Sequence, residues 1–169
     1  EILDNSAKNY FVPFLNKEWK APYKSKIRSE EIKDLGAKFS DLPVDFKPHR
    51  QVKKIIENRK MMSEGLTDCD WGFGETLAYA SLLTSGCPVR ISGQDSGRGT
   101  FSHRHAVLND QITGEAFLPL QNLKEDQAKF LVINSTLSEE AVLAYEFGYA
   151  AAEPNALIIW EAQFGDFAN

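Results

Sequence analysis

The chain has 169 residues, 43% hydrophobic and 25% charged, with a net charge of −5, the composition of a globular domain with one sizeable core. The acidic balance argues against a general nucleic-acid binder, and no apolar run approaches the roughly 18 residues of a membrane span. Cys69 and Cys87 lack metal-type or framework spacing, which argues against a zinc ribbon or disulfide scaffold and leaves a reducing compartment as the default.

The start at Glu1 and the end at Asn169, directly after an aromatic stretch, read as a piece of a longer chain. Tyr10 to Tyr23, "YFVPFLNKEWKAPY", has no sustained period and reads as an irregular segment packed on something larger. "SEEIKDLGAKFSDL" predicts a helix, with Ser29 as its cap and acidic residues in the first turn. "KPHRQVKKIIENRKMM" predicts a second, with Pro48 near the first turn and Val52, Ile55 and Ile56 on one face. Its Lys and Arg residues read as a solvated face in a chain this acidic.

Beyond about residue 65 the rhythm changes. "GETLAYASLLTSG" is an apolar helix stopped by Gly86, and "CPVRIS" follows as a short strand. "KFLVIN" and "ALIIW" read as buried strands, and the helix between them, "SEEAVLAYEFGYAAAE", is apolar nearly all round and so expected to be buried. Helices alternating with continuously apolar strands predict an α/β domain whose mainly parallel sheet is covered on both faces. Ligands of such sheets gather beyond the carboxyl ends of the strands, where this chain places residues 93–105, 134–139 and 161–167.

The first of these stretches, "GQDSGRGTFSHRHAV", matches neither the dinucleotide fingerprint nor the phosphate loop; Gly93, Gly97 and Gly99 most simply permit a tight turn. His103 and His105 would share one side of an extended segment, but two imidazoles without a third ligand make no metal site, and none is expected. Arg98 and Arg104 suit either a bound carboxylate or anchoring of the loop. In the second stretch Thr136 and Glu139 have capping-box spacing. The alternative is a carboxyl group at the ligand edge, able to exchange a proton with what binds there, with Leu137 facing the same crevice. In the third, Phe164 and Phe167 are either core or a face for a flat heterocycle.

Together, "DWGFGETLAYASLL", "SGQDSGRGTFSHRHAVLNDQ", "STLSEEAVLAYEFGYAAAEP" and "IWEAQFGDFAN" resemble the thiamine diphosphate-dependent decarboxylating component of 2-oxoglutarate dehydrogenase, from about Asp70 to the last residue. The resemblance implies a thiamine diphosphate-binding α/β fold, with residues 66–169 as the N-terminal half of its pyrimidine-binding domain and residues 1–65 as a helical connector. It implies that Glu139 hydrogen-bonds the cofactor's aminopyrimidine nitrogen and exchanges a proton with it. Leu137 is implied beneath the bent cofactor, Phe167 and Phe164 against the pyrimidine, and Gln94 at the same edge. Arg98, His103 and His105 are implied in an entrance loop.

The family's diphosphate motif, Gly-Asp-Gly followed by Asn, is absent from the sequence. The ligands of Mg2+ would therefore lie on another domain, and the chain alone is expected to be inactive. The implied parent is a homodimer that decarboxylates 2-oxoglutarate in the tricarboxylic acid cycle. It would pass the succinyl group to a lipoyl-bearing succinyltransferase, which works with dihydrolipoyl dehydrogenase. Bacterial cytoplasm is the expected compartment, or the mitochondrial matrix for a eukaryotic source. The alternatives are a 2-oxoadipate dehydrogenase subunit, a noncatalytic phosphate- or nucleotide-binding domain, and an assembly module.

Overall fold

Three parallel strands form the centre of the computed structural model, which describes residues 13, 25–164 and 166. The aromatic segment of residues 10–23, Pro13 apart, and Phe167 lie outside the described residues. β1 (Val89–Gly93) runs between β4 (Phe130–Asn134) and β5 (Leu157–Glu161). Gly93 pairs in register with both Asn134 and Glu161, so the three strands end level and release their loops from one edge.

Among the described residues four helices flank the sheet: α1 (Ser29–Ser40), α2 (Arg50–Ser63), α3 (Trp71–Thr84) and α4 (Glu139–Ala152). The expected stop after α3 forms. Gly86 takes a φ of 93°, and the Cys87 N–H donates to Leu82 O at 2.9 Å, the closing bond of a Schellman turn. The expected cap of α1 is corrected: Arg28 occupies the cap position without a side-chain bond, and Ser29 is already helical. Glu30 and Glu31 in the first turn still complement the helix dipole. His49 caps α2, its Nδ1 accepting from the Gln51 N–H at 3.3 Å, and Pro48 lies immediately before that cap, near the first turn as expected.

The side chains of β1 alternate between two unlike environments. Val89 and Ile91 enter the hydrophobic core with Phe73, Leu83 and Phe130, where Leu35, Phe39 and Met62 bring α1 and α2 into the same cluster. Arg90 faces the other way, toward α4, where it meets Glu146. Expectations of full burial are corrected here for α4 and for both outer strands: in β4 Phe130 is buried but Leu131 is 37% exposed. In α4 Val142 and Glu146 are buried, but Leu143, Tyr145 and Phe147 are 49%, 55% and 74% exposed. Among the described residues the sheet has three strands and covers one stripe of that helix. β5 is half-buried throughout because it is an edge strand, paired with β1 alone among the described residues.

The long connection from β1 to β4 contains a hairpin that the sequence pattern did not disclose. β2 (Leu108–Asn109) pairs antiparallel with β3 (Ala116–Phe117), and a short 3-10 turn follows at Pro119–Gln121. Strands of two residues carry no readable period. Asp110 organises the turn, accepting from the N–H groups of Lys47 (2.6 Å), Ile112 (2.7 Å) and Thr113 (2.9 Å). Those bonds, Lys47 foremost, hold its carboxyl below the usual range. Among the described residues no helix is long and apolar enough to cross a membrane.

Candidate functional site

The site begins at Gly93, where β1 gives way to its loop. A Cβ there would lie 2.5 Å from Glu161 O, so only glycine lets β1 run this close to β5. The chain then curls instead of continuing extended: Asp95 has a φ of 57°, and the Gly97 N–H donates to Asn134 Oδ1 at 2.9 Å. Gly99, at a φ of 81°, passes so close to the His103 ring that a Cβ would lie 2.5 Å from its Cε1.

Arg104 anchors this loop. It is 3% exposed, and its Nη1 donates to Ser96 O at 2.8 Å and Glu161 Oε2 at 2.5 Å. Its Nε and Nη2 grip both oxygens of Glu75 on α3. Burial alone would lower its pKa, but the two carboxylates hold the guanidinium above its ordinary value. Of the two readings open for Arg104, the anchor is the one the structure contains. Arg59 of α2 adds a second tie, donating to the carbonyls of His103 (3.0 Å) and Arg104 (2.6 Å). Burial pulls its pKa down to about 10. Glu75 and Arg59 were not legible as loop anchors, because single charges on helices read as solvated positions.

At the edge itself, Gln94 Nε2 donates to Glu139 Oε1 at 3.1 Å. Gln94 is held in turn, its carbonyl accepting from Gln163 Nε2 at 3.1 Å, and Gln163 also donates to Thr100 Oγ1 at 2.9 Å. The capping box of Thr136 and Glu139 does not form. Ser138 is the cap, its Oγ accepting from the Ala141 N–H at 3.4 Å, so Glu139 is the first helical residue and not the third. Ser135 Oγ accepts from the Leu137 N–H at 3.2 Å, a local turn that delays the helix by two residues. The half-buried Glu139 side chain is thereby free of a capping duty. Leu137, two residues earlier, and Phe164, beyond the end of β5, both expose much of their apolar surface.

The remaining loop residues separate. Backbone φ values of 53° at Ser102 and 42° at His105 turn the segment, so His103 and His105 do not share a side. His103 lines a cavity with Asp70, Trp71 and Phe101, its Nε2 3.5 Å from Glu75 Oε2. Arg98 and His105 line a different cleft against α2, and Arg98 pairs with Asp95 at 2.5 Å. The edge therefore offers a carboxylate held through one oxygen, with the exposed apolar side chain of Leu137 two residues before it. This arrangement can hydrogen-bond a ring nitrogen and cover a flat ring.

Residues 67–169 match the family described as transketolase, pyrimidine binding domain. The chain is similar to the 2-oxoglutarate dehydrogenase E1 component of Cupriavidus necator, with 53% identity over 163 residues, and to that of Azotobacter vinelandii, with 52% over 159. Each alignment covers 94% of this chain and 17% of the relative. Similarity to the protein of the same name from Haemophilus influenzae is 48% over 165 residues, covering 98% of this chain and 18% of the relative. The chain thus spans less than a fifth of the length of these relatives.

Proposed function

The chain belongs to the transketolase pyrimidine-binding domain family, and from that premise we propose that it supplies the aminopyrimidine side of a thiamine diphosphate site in a 2-oxoglutarate-decarboxylating protein. The observation that carries this reading is Glu139, on the first turn of α4 at the carboxyl edge of the sheet, with one oxygen held by Gln94. Thiamine diphosphate, when bound, supplies the carbon nucleophile and the electron sink that decarboxylation of a 2-oxo acid requires.

The residues present fit that group. With Oε1 fixed by Gln94, Oε2 of Glu139 is the oxygen that shares a proton with the aminopyrimidine ring nitrogen. The Gln94–Gln163–Thr100 chain orients the carboxylate before anything binds. Leu137 and Phe164 present the apolar surface that covers the ring and excludes water, and Phe167 joins them in this proposal.

The diphosphate and its Mg2+ are held, in this reading, by another domain of the longer protein. That protein works as a homodimer with a lipoyl-bearing succinyltransferase and dihydrolipoyl dehydrogenase, in the cytoplasm of a bacterium. The names of the relatives support 2-oxoglutarate as substrate. The test uses the full-length protein: carbon dioxide release from 2-oxoglutarate, with and without thiamine diphosphate and magnesium. Turnover that needs both is expected. Turnover independent of thiamine diphosphate would sink the reading, and a higher kcat/KM for 2-oxoadipate would reassign the substrate.

A further inference from the structure

A cleft of about 760 Å3 opens between α2 and the loop that follows β1. Neither Gln94, Leu137 nor Glu139 lines it, so it is separate from the edge described above. Four basic side chains converge on it: His49 and Lys54 from α2 and its cap, Arg98 and His105 from the loop. Among the described residues no Asp or Glu lines it. In a chain with a net charge of −5, Lys54 and Arg98 stand on a concavity whose own lining holds no carboxylate, Asp95 reaching only Arg98 from beside it, and this favours anions. The basic face of α2, which the sequence alone assigns to solvent, is therefore in part the wall of a pocket.

The loop side of the cleft is built rigidly. Ser102 and His105 both line it and both hold left-handed backbone without being glycine, at φ values of 53° and 42°. Strain of this kind persists only where surrounding contacts enforce it, and it concentrates where side chains are aimed at ligands. Here the contacts are visible. The His105 N–H donates to Arg98 O at 3.0 Å, and Arg59 holds the carbonyls of His103 and Arg104 from below. Arg98 gives Nη2 to Asp95 at 2.5 Å and Nη1 to Ser102 Oγ at 3.4 Å, which leaves donors of its five-donor fork for a third partner. The amides of Asn58 and Asn109 add neutral polar groups to the lining, and Val52 and Ile55 give it an apolar wall.

We propose that this cleft is a second ligand site that takes a small organic phosphate, its anionic group held by Arg98 and Lys54 and its body set against Val52 and Ile55. A phosphate suits the cleft because its tetrahedral oxygens accept from donors arriving from two directions, here α2 and the loop. Dicarboxylates share the charge but not that distribution of acceptors. The site does not depend on the thiamine diphosphate reading, since no residue of the Glu139 edge takes part.

The experiment follows the ring resonances of His49 and His105 by nuclear magnetic resonance while inorganic phosphate, glycerol 3-phosphate or succinate is added to the chain. Saturable shifts of both rings are expected with the two phosphates, glycerol 3-phosphate binding more tightly because it also meets the apolar wall. Lys54 and Arg98 are both exposed, so the double variant Lys54→Gln, Arg98→Gln is expected to fold as before and to weaken binding at least about tenfold, the value of a lost charge-assisted bond. Asn58→Asp, which adds a carboxylate to the lining, provides a second variant and is expected to weaken binding likewise. The proposal is overturned by succinate binding as tightly as glycerol 3-phosphate. It is equally overturned by shifts that do not saturate below about 10 mM phosphate, a Kd at the weak end of specific binding, or by unchanged affinity in both variants.

Discussion

Arg90 on β1 and Glu146 on α4 form a two-bond ion pair, at 2.7 and 2.8 Å, on the sheet face opposite the hydrophobic core. Glu146 is buried, and the Arg90 guanidinium carbon stands 4.7 Å from the Tyr149 ring centroid and 5.3 Å from that of Tyr145. The hydrogen bonds that Arg90 donates to Glu146 hold its guanidinium above its ordinary pKa. This pair joins the middle strand to the helix that begins at Glu139, so it fixes the helix whose first turn carries the candidate site.

Removing one partner leaves the other charged and withdrawn from water. Glu146→Leu is therefore expected to destabilise the chain by about 3 kcal/mol or more, measured by urea unfolding. Adding Arg90→Met should recover most of that loss, because an apolar pair of similar volume offsets the missing bonds. A single variant as stable as the parent would show that α4 is held by other contacts.

Arg104 makes a sharper case, since one guanidinium serves two carboxylates and a carbonyl. Lysine keeps the charge but is a compact point donor that cannot bridge Glu75 and Glu161 together. Arg104→Lys is expected to lower stability by roughly 2–3 kcal/mol, the cost of charged hydrogen bonds left unmade. Amide hydrogen exchange should then accelerate across residues 94–107 more than in β1 and β4. Uniform acceleration over the whole chain would mean that Arg104 supports the core and not the loop.

The pH dependence follows from His105 and Asp110. Burial, with Arg59 and then Arg98 and His103 adding repulsion against a weaker opposing bond at Ser102, holds His105 below its ordinary value. The unfolded chain then binds the proton first, so stability present above about pH 6.5 is lost as the pH falls below it. Asp110 is also depressed, and its contribution is present above about pH 4 and lost beneath that. Asparagine tolerates the left-handed backbone at position 105, so His105→Asn should flatten the fall of Tm that begins below about pH 6.5 while leaving the Asp110 contribution intact. Parallel curves for parent and variant would remove His105 from the account.

The three parallel strands and the stop at Gly86 are legible in the sequence because apolar runs and glycine act locally, whereas the two-residue strands of the hairpin are not. The sequence also places the three loop stretches at one sheet edge, since parallel strands in register must release their loops together. The misreadings have a common origin in tertiary context. Arg90 was read within an apolar strand, although its alternate side faces α4, and a single-residue alternation inside "PVRIS" is too short to announce a polar face. Burial of α4 was inferred from composition, whereas the number of strands beneath it decides which stripe is covered. The cap of α4 turned on whether Thr136 or Ser138 begins the helix, and a bond from Ser135 decided it. Gln94 and Glu139 are 45 residues apart, a separation at which no local pattern signals a contact.

That contact frames the most discriminating test. As the first residue of α4, Glu139 complements the helix dipole, a contribution of about 0.3–1 kcal/mol that Gln would forfeit. Glu139→Gln also retains an oxygen that can accept from Gln94, so the edge should keep its shape. Folding and loop exchange rates are thus expected to stay near those of the parent. An amide cannot share an exchangeable proton with a ring nitrogen as a carboxyl group does, and loss of a positioned acid–base group typically costs roughly 10²–10⁴ in rate. In the full-length protein, Glu139→Gln is expected to lose at least about a hundredfold in decarboxylation. Deuterium exchange at the thiazolium carbon of added thiamine diphosphate isolates the proton transfer from every later step. Gln94→Ala should slow that exchange less, because it frees Oε1 without removing the proton carrier. If Glu139→Gln exchanges within a few-fold of the parent, the carboxylate has no part in proton transfer and serves only the end of its helix.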